Sequence, residues 1–202
     1  FPGVEVRITE DGEILLGGVG VVQGYYKRPE ETAKSFKAGY FHTGDGGYMD
    51  EEGELYIIDR VRDMQTMKTG EKFSPTYIEG RLKFSPFIKD AMVIGNDKNF
   101  VTALLNMDFE NTGGWAERNH IAYTSHPDLS QKEQVRKLLA GILQRINTTL
   151  PETTRVKRFI VLHKDFDPDE AELTRTRKLR REFVEKRYEN IVSAMYEGQN
   201  QM

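Results

Sequence analysis

Between Tyr40 and Lys72 an aspartate and an arginine stand at the two ends of one hairpin-like unit, a pairing suited to clamping a nucleotide. Asp45, within Thr43-Gly44-Asp45-Gly46-Gly47, offers two acceptor oxygens that match neighbouring hydroxyls such as those of a ribose. Read as a turn, this glycine-rich stretch lets a ligand approach the backbone closely, because glycine has no Cβ. Arg60 closes the unit with a planar cationic donor able to reach sugar or phosphate oxygens. Each part also has an ordinary reading: Thr-Gly-Asp is common turn chemistry, and a strand-terminal arginine is usually a solvated charge.

A second locus lies far downstream. The acidic, proline-containing run Asp165-Phe166-Asp167-Pro168-Asp169-Glu170-Ala171-Glu172 passes abruptly into Thr174-Arg175-Thr176-Arg177-Lys178. Leu179 reads as the start of a helix, and a basic helix start can meet an anion or simply form a solvated first turn. The run Arg175–Arg181 also admits a nucleic-acid or anionic-membrane patch. Glu182, Glu185 and Glu189 interrupt that patch, and heparin retention would test it.

The elements that must hold these residues are legible in outline. Asp11-Gly12 is a tight-turn signal between Val4–Ile8 and Glu13–Leu16, and Asp50-Glu51-Glu52-Gly53 is a hairpin turn leading into the strand Glu54–Ile58. Pro29 with Glu30 and Glu31 predicts a helix start, running to about Lys37 and ending at Gly39. Ser74 with Pro75 predicts another helix, through Ile78 and Leu82. Phe87–Ile94 and Phe100–Met107 read as strands joined in a hairpin, and Phe159–Leu162 as a third strand. A short helix is expected around Gly114–His120, and Ser130-Gln131-Lys132-Glu133 has the form of a capping box. The helix after it carries Val135, Leu138, Leu139, Ile142 and Ile146 as one apolar stripe. A last helix is expected from Leu179 to about Tyr196, so the downstream part reads as an α+β domain of helices on a short sheet.

Composition bounds the rest. The 202 residues leave room for one domain and part of another, and 30% charged with 38% hydrophobic residues is ordinary for a globular chain. A net charge of −3 gives no basic field for nucleic acid, and the lack of cysteine excludes disulfide and thiol chemistry. No apolar run approaches the roughly 20 residues that span a bilayer. The chain opens on Phe1 with no signal-like segment, and is expected to be a cytoplasmic piece of something larger. The histidines His42, His120, His126 and His163 show no metal-ligand spacing, so no metal site is expected here.

The ordered motifs Tyr40–Asp45, Asp59-Arg60-Val61-Arg62-Asp63, Gly70-Glu71, Ser74-Pro75 and Glu79 resemble those of the adenylate-forming superfamily. The likeness is strongest to the long-chain fatty acyl-CoA synthetases, which carry Asp-Arg before the hinge and Gly-Glu after it. It implies the last β-rich part of a large AMP-binding domain over residues 1–60, a hinge at 61–63 and a C-terminal lid over 64–202. It further implies that a fatty acid, ATP with magnesium, and coenzyme A are substrates. The carboxylate attacks the α-phosphate to give acyl-adenylate, and the coenzyme A thiol then displaces AMP. By resemblance Lys178 is the adenylation lysine, Asp45 and Arg60 bind nucleotide, Arg62 is the hinge residue, and Lys68, Gly70, Glu71 and Lys72 form the coenzyme A loop. Many members carry proline at the Arg175 slot and glycine at the Arg177 slot, which leaves Arg177 and Lys178 in competition. The family's triphosphate, magnesium and acyl sites have no counterpart here. The isolated chain is therefore expected not to form acyl-adenylate without an N-terminal domain of the same chain. A medium-chain synthetase or luciferase-like enzyme is the neighbouring alternative, and peripheral membrane contact stays open.

Overall fold

Alternating apolar and polar residues make Val4–Ile8 a strand (β1), and Asp11-Gly12 returns the chain into β2 (Glu13–Gly18), antiparallel to it. The helix predicted at Pro29 runs Pro29–Ser35 (α1) and stops short of Lys37. Phe36–Lys37 instead pairs as a short strand (β3) with β4 (Tyr40–Met49), since Ala38-Gly39 supplies a two-residue turn with both φ angles positive. β4 pairs with β2 on one side and with β5 (Leu55–Arg60) through the Asp50–Gly53 turn. A single 3-10 turn, Val61–Asp63, follows. In this computed structural model residues 2–197 are described, and they divide into two compact units that part between Met64 and Gln65. Phe1 and residues 198–202, at the ends of the expected 1–60 and 64–202 segments, lie outside the described residues.

The second unit opens with the small hairpin β6 (Gln65–Thr66) and β7 (Lys72–Phe73). Ser74 then caps α2 (Pro75–Lys83), its Oγ accepting the Tyr77 N–H at 2.9 Å. β8 (Ile88–Ile94) and β9 (Val101–Met107) form the predicted hairpin, and β10 (Val156–Val161) adds to β9 in parallel, giving the order β10-β9-β8. A parallel neighbour requires a crossover, and three helices supply it: α3 (Phe109–Arg118), α4 (His126–Ser130) and α5 (Glu133–Asn147). Two expectations fail in this stretch. α3 begins five residues before Gly114 because Asp108 caps it, accepting the Asn111 N–H at 2.9 Å. The capping box does not form: Ser130 ends α4, donating its hydroxyl to the Pro127 carbonyl, and Lys132 precedes α5 without a side-chain cap.

β9 is buried along its whole length because both faces of the sheet are covered. Val101, Ala103, Leu105 and Met107 join Ile78, Leu82, Val135, Leu139 and Ile142 in a large core. On the other side Leu104 joins Leu162, Phe166, Leu173, Val184, Val192 and Met195 in a smaller one. Each fully buried aliphatic side chain of this kind contributes about 1.5–3 kcal/mol. The final helix is two helices, α6 (Arg181–Arg187) and α7 (Glu189–Glu197), and the break falls on Tyr188, whose hydroxyl donates to the buried Glu172 at 3.0 Å.

Candidate functional site

The turn expected at Thr43–Gly47 is the interior of β4, and this changes what its glycines do. Cβ atoms at Gly46 and Gly47 would lie 2.6 Å from Met64 Sδ and 2.1 Å from the Tyr56 carbonyl oxygen, so both serve internal packing across a bulge in the β4–β5 ladder. Gly44, at φ +71°, is the open one: its nearest neighbour would be Arg60 Nη1 at 3.8 Å.

Asp45 and Arg60, far apart in the hairpin's sequence, are direct cross-strand partners in the β4–β5 register. Arg60 Nη1 lies 3.0 Å from Asp45 Oδ1 and donates to the Thr43 carbonyl at 3.1 Å. The loop side is fixed from β2: Glu13 accepts the Gly44 N–H at 3.0 Å and pairs with His42 at 2.9 Å, while the Thr43 hydroxyl donates to the Ile14 carbonyl at 2.7 Å. Sequence reading did not single out Glu13, because nothing local marks a carboxylate that serves a strand thirty residues on. Gly44, Arg60, Val61 and Arg62 line an open cleft beside this pair. Arg62 itself is exposed within the 3-10 turn, with Asp63 at 3.7 Å.

In the second unit Lys68, Gly70 and Glu71 sit on the loop between β6 and β7, and Lys72 is the first residue of β7, paired with Thr66. The Met67 N–H bonds the Glu71 carbonyl at 2.9 Å, the Gly70 N–H bonds the Met67 carbonyl at 2.9 Å, and the Lys68 N–H is held by the Lys98 carbonyl at 3.0 Å. The Thr69 hydroxyl donates to Glu71. Gly70 is at φ +90° with nothing within 4 Å of where a Cβ would point, so the tip is both left-handed and open.

Lys178 is not at a helix N-terminus, as α6 begins three residues later at Arg181. It sits on a tight hairpin closed by an antiparallel bridge between Leu173 and Leu179. Thr174 organises the hairpin: its carbonyl accepts the Arg177 N–H at 2.8 Å, its hydroxyl accepts the Lys178 N–H at 3.0 Å, and its own N–H donates to the Lys178 carbonyl at 2.8 Å. Arg177 occupies the left-handed region at φ +59°, a place that favours glycine. The basic run is not one uniform patch. Arg181 pairs with Glu79, Arg180 stacks over Phe183 at 5.5 Å, and burial pushes the half-buried Asp90 up while Lys83 and then Arg177 pull against it. Lys178 is exposed and, among the described residues, its ammonium makes no ion pair. Also among the described residues, no group of three His, Asp or Glu can hold a metal ion, and no helix is long and apolar enough to cross a membrane.

The profile of the AMP-binding enzyme C-terminal domain matches residues 62–200. A long-chain-fatty-acid–CoA ligase of Mycobacterium tuberculosis, FadD15, is 33% identical over 196 residues, covering 96% of this chain and 33% of the ligase. The long-chain-fatty-acid–CoA ligase ACSBG1 of Bos taurus is 29% identical over 222 residues, covering 98% of this chain and 31% of that protein. The chain thus spans about a third of the length of the curated relatives it matches. Among solved structures, the adenylation domain of a Mycobacterium chelonae carboxylate reductase aligns with a TM-score of 0.61 at 22% identity, over 98% of this chain and 32% of its own. Apo MatB from Rhodopseudomonas palustris aligns at 0.60 and 24% identity, over 95% and 35%. At these identities the likeness is one of fold. Since the profile runs from the 3-10 turn through both cores and the Lys178 hairpin, the chain belongs to the AMP-binding enzymes and carries their C-terminal domain.

Proposed function

We propose that this chain is the C-terminal part of an ATP-dependent long-chain fatty acid–CoA ligase, and that Lys178 is the cation it delivers to the adenylation step. The observation that carries the reading is the Lys178 hairpin itself: an exposed ammonium, not consumed by any ion pair among the described residues, on a loop whose main chain is hydrogen-bonded to itself. Arg175 is equally exposed, and it is the motif position that selects Lys178. The names of the curated relatives support the fatty acid as substrate, and the matched register of Asp45 and Arg60 supports a nucleotide contact in the first unit.

In this reading a fatty acid carboxylate oxygen attacks the α-phosphorus of ATP and pyrophosphate departs. Lys178 stabilises the negative charge that builds on the α-phosphate, an effect worth on the order of 10²–10³ in rate. The ammonium must be in contact to act, because exposed charges are screened beyond roughly 8–10 Å. In the second step the coenzyme A thiolate attacks the acyl carbon and AMP leaves. Lys68, Gly70, Glu71 and Lys72 then face the thiol substrate, and the lid turns between steps about Arg62, in the 3-10 turn at the end of the first unit. Asp45 accepts from the ribose hydroxyls, and Arg60 holds it while reaching the ribose or phosphate oxygens.

The test uses the full-length enzyme that carries this segment, with pyrophosphate release from ATP and fatty acid measured apart from thioester formation from preformed acyl-adenylate. Lys178→Ala is expected to lose about 10²-fold or more in the first and little in the second. Survival of both half-reactions would remove the lysine from the mechanism. Gly70→Leu is expected to do the reverse, since its side chain meets no protein atom yet occupies the open tip. A Gly70→Leu enzyme with intact thioesterification would sink the coenzyme A loop.

A further inference from the structure

The Lys178 hairpin leads into α6, whose first residue, Arg181, is fastened to the domain through a carboxylate that the proposed adenylation chemistry does not use. Glu79, on α2, is only 6% exposed, yet it makes bonds to two other elements. Its Oε1 accepts the Val93 N–H of β8 at 2.7 Å, and its Oε2 accepts from Arg181 Nη2. Arg181 Nη1 donates in turn to the Val93 carbonyl at 3.4 Å. One buried acid thus ties α2, the sheet and the foot of the hairpin into a single node, with Lys178 three residues away along the chain. The other strand of the hairpin has a matching anchor. Glu172, with no exposed surface, takes the Asp167 N–H at 2.9 Å and the Tyr188 hydroxyl at 3.0 Å, with Arg187 Nε at 3.3 Å, while its carbonyl accepts the Arg180 N–H at 2.9 Å.

Burying a carboxylate is costly, and desolvation pushes Glu79 up from the usual carboxylate range while Arg181 and the Val93 N–H pull it down. A node kept at that cost fixes geometry more than it adds stability, since a well-packed apolar pair would hold α2 to β8 as firmly. What an apolar pair would not do is set the direction of a guanidinium, and with it the register of the hairpin that leads into α6.

We propose that Glu79 and Arg181 are positioning residues for Lys178: they set where the hairpin presents its ammonium, and touch no reacting atom themselves. The inference rests on the reading of Lys178 given above. Displacing a reacting group by about 1 Å can cost 10²-fold in rate, so loosening this node is expected to lower adenylation by roughly 10- to 100-fold. Adenylation and thioesterification are measured separately in the full-length enzyme for Glu79→Gln, which keeps the shape and an acceptor for Val93 but removes the charge. The expected result is a fall in kcat for adenylation, unchanged thioester formation from preformed acyl-adenylate, and no further loss when Glu79→Gln is added to Lys178→Ala. An equal fall in both half-reactions, or an additive loss in the double variant, makes Glu79 merely structural and overturns the proposal. Should Glu79→Gln not fold, Arg181→Lys carries the same test, because it keeps a cation against Glu79 and loses the fork that reaches Val93. If Lys178→Ala leaves adenylation intact, the lysine reading fails. If Lys178→Ala is defective and Glu79→Gln and Arg181→Lys are not, the positioning role alone fails.

Discussion

Arg177 offers a direct measurement of the hairpin's backbone. Its φ of +59° places a long side chain in the left-handed region, which costs an L-residue roughly 1–2 kcal/mol. Glycine removes that cost but loses about 0.4–1 kcal/mol through its greater freedom in the unfolded chain. Comparing Arg177→Gly with Arg177→Ala separates backbone from side chain, because both variants lose the same guanidinium and its influence on Asp90. At an ordinary position alanine is the more stable of the two. Here the balance of the two terms makes glycine the more stable, by about 0.5–1 kcal/mol. The second unit is of a size for which 1 kcal/mol corresponds to about 3 °C in Tm, so the gap between the variants is about 1.5–3 °C. The assay is convenient, since the one tryptophan of the chain, Trp115, lies on α3 of this unit and packs against its large core. Fluorescence-detected denaturant unfolding of both variants, with equal m-values, gives the difference directly. An alanine variant as stable as the glycine one would show that the hairpin is not left-handed at 177, and the Thr174-centred geometry would be wrong.

Two further outcomes follow from packing and burial. Gly47→Ala forces a Cβ to within 2.1 Å of the Tyr56 carbonyl and 2.9 Å of Ile14, so the β4–β5 pairing is expected to lose at least about 1–3 kcal/mol; amide exchange of β5 would report it, and unchanged protection would refute it. Burial pushes the Tyr196 phenol up to about 12 and raises Tyr188 as well, the latter helped by its bond to Glu172. Unfolded phenols ionise near 10, so this stability is complete below pH ~10 and is lost as pH rises toward ~12. Tyr196→Phe is expected to flatten that alkaline loss in unfolding experiments, and an identical slope would refute it.

Several elements whose signals are local were legible in the sequence, although the capping-box pattern at Ser130 was not. Asp11-Gly12, Asp50–Gly53, Ser74-Pro75 and the α5 stripe each encode their structure within a few residues, and each formed. The Asp45–Arg60 pairing was only half legible: the Asp50–Gly53 turn alone would set Asp45 opposite Asp59, and the bulge between Gly46 and Gly47 shifts the register by one residue to bring Arg60 there. What stayed hidden depends on distant partners. Glu79 and Arg181 are 102 residues apart, and no spacing rule marks a carboxylate as buried. The Lys178 hairpin looked like a helix start because Thr174, not a glycine or asparagine, makes its turn. Gly46 and Gly47 looked ligand-facing because the groups that fill the space above them, Met64 over Gly46 and Tyr56 and Ile14 over Gly47, are not visible from their own neighbours.

The two-sided burial of β9 also sets an order of assembly. Every residue of the large core precedes position 162, whereas the small core that carries Leu173 beneath the Lys178 hairpin includes Val184, Tyr188, Val192 and Met195. During synthesis, which proceeds from the N-terminus, the sheet and crossover helices can pack while the hairpin still lacks its floor. A nascent or prematurely terminated chain ending near Arg181 would hold a complete large core and a lysine with no fixed place to stand. The placing of that side chain is thereby made conditional on translation reaching the final helix.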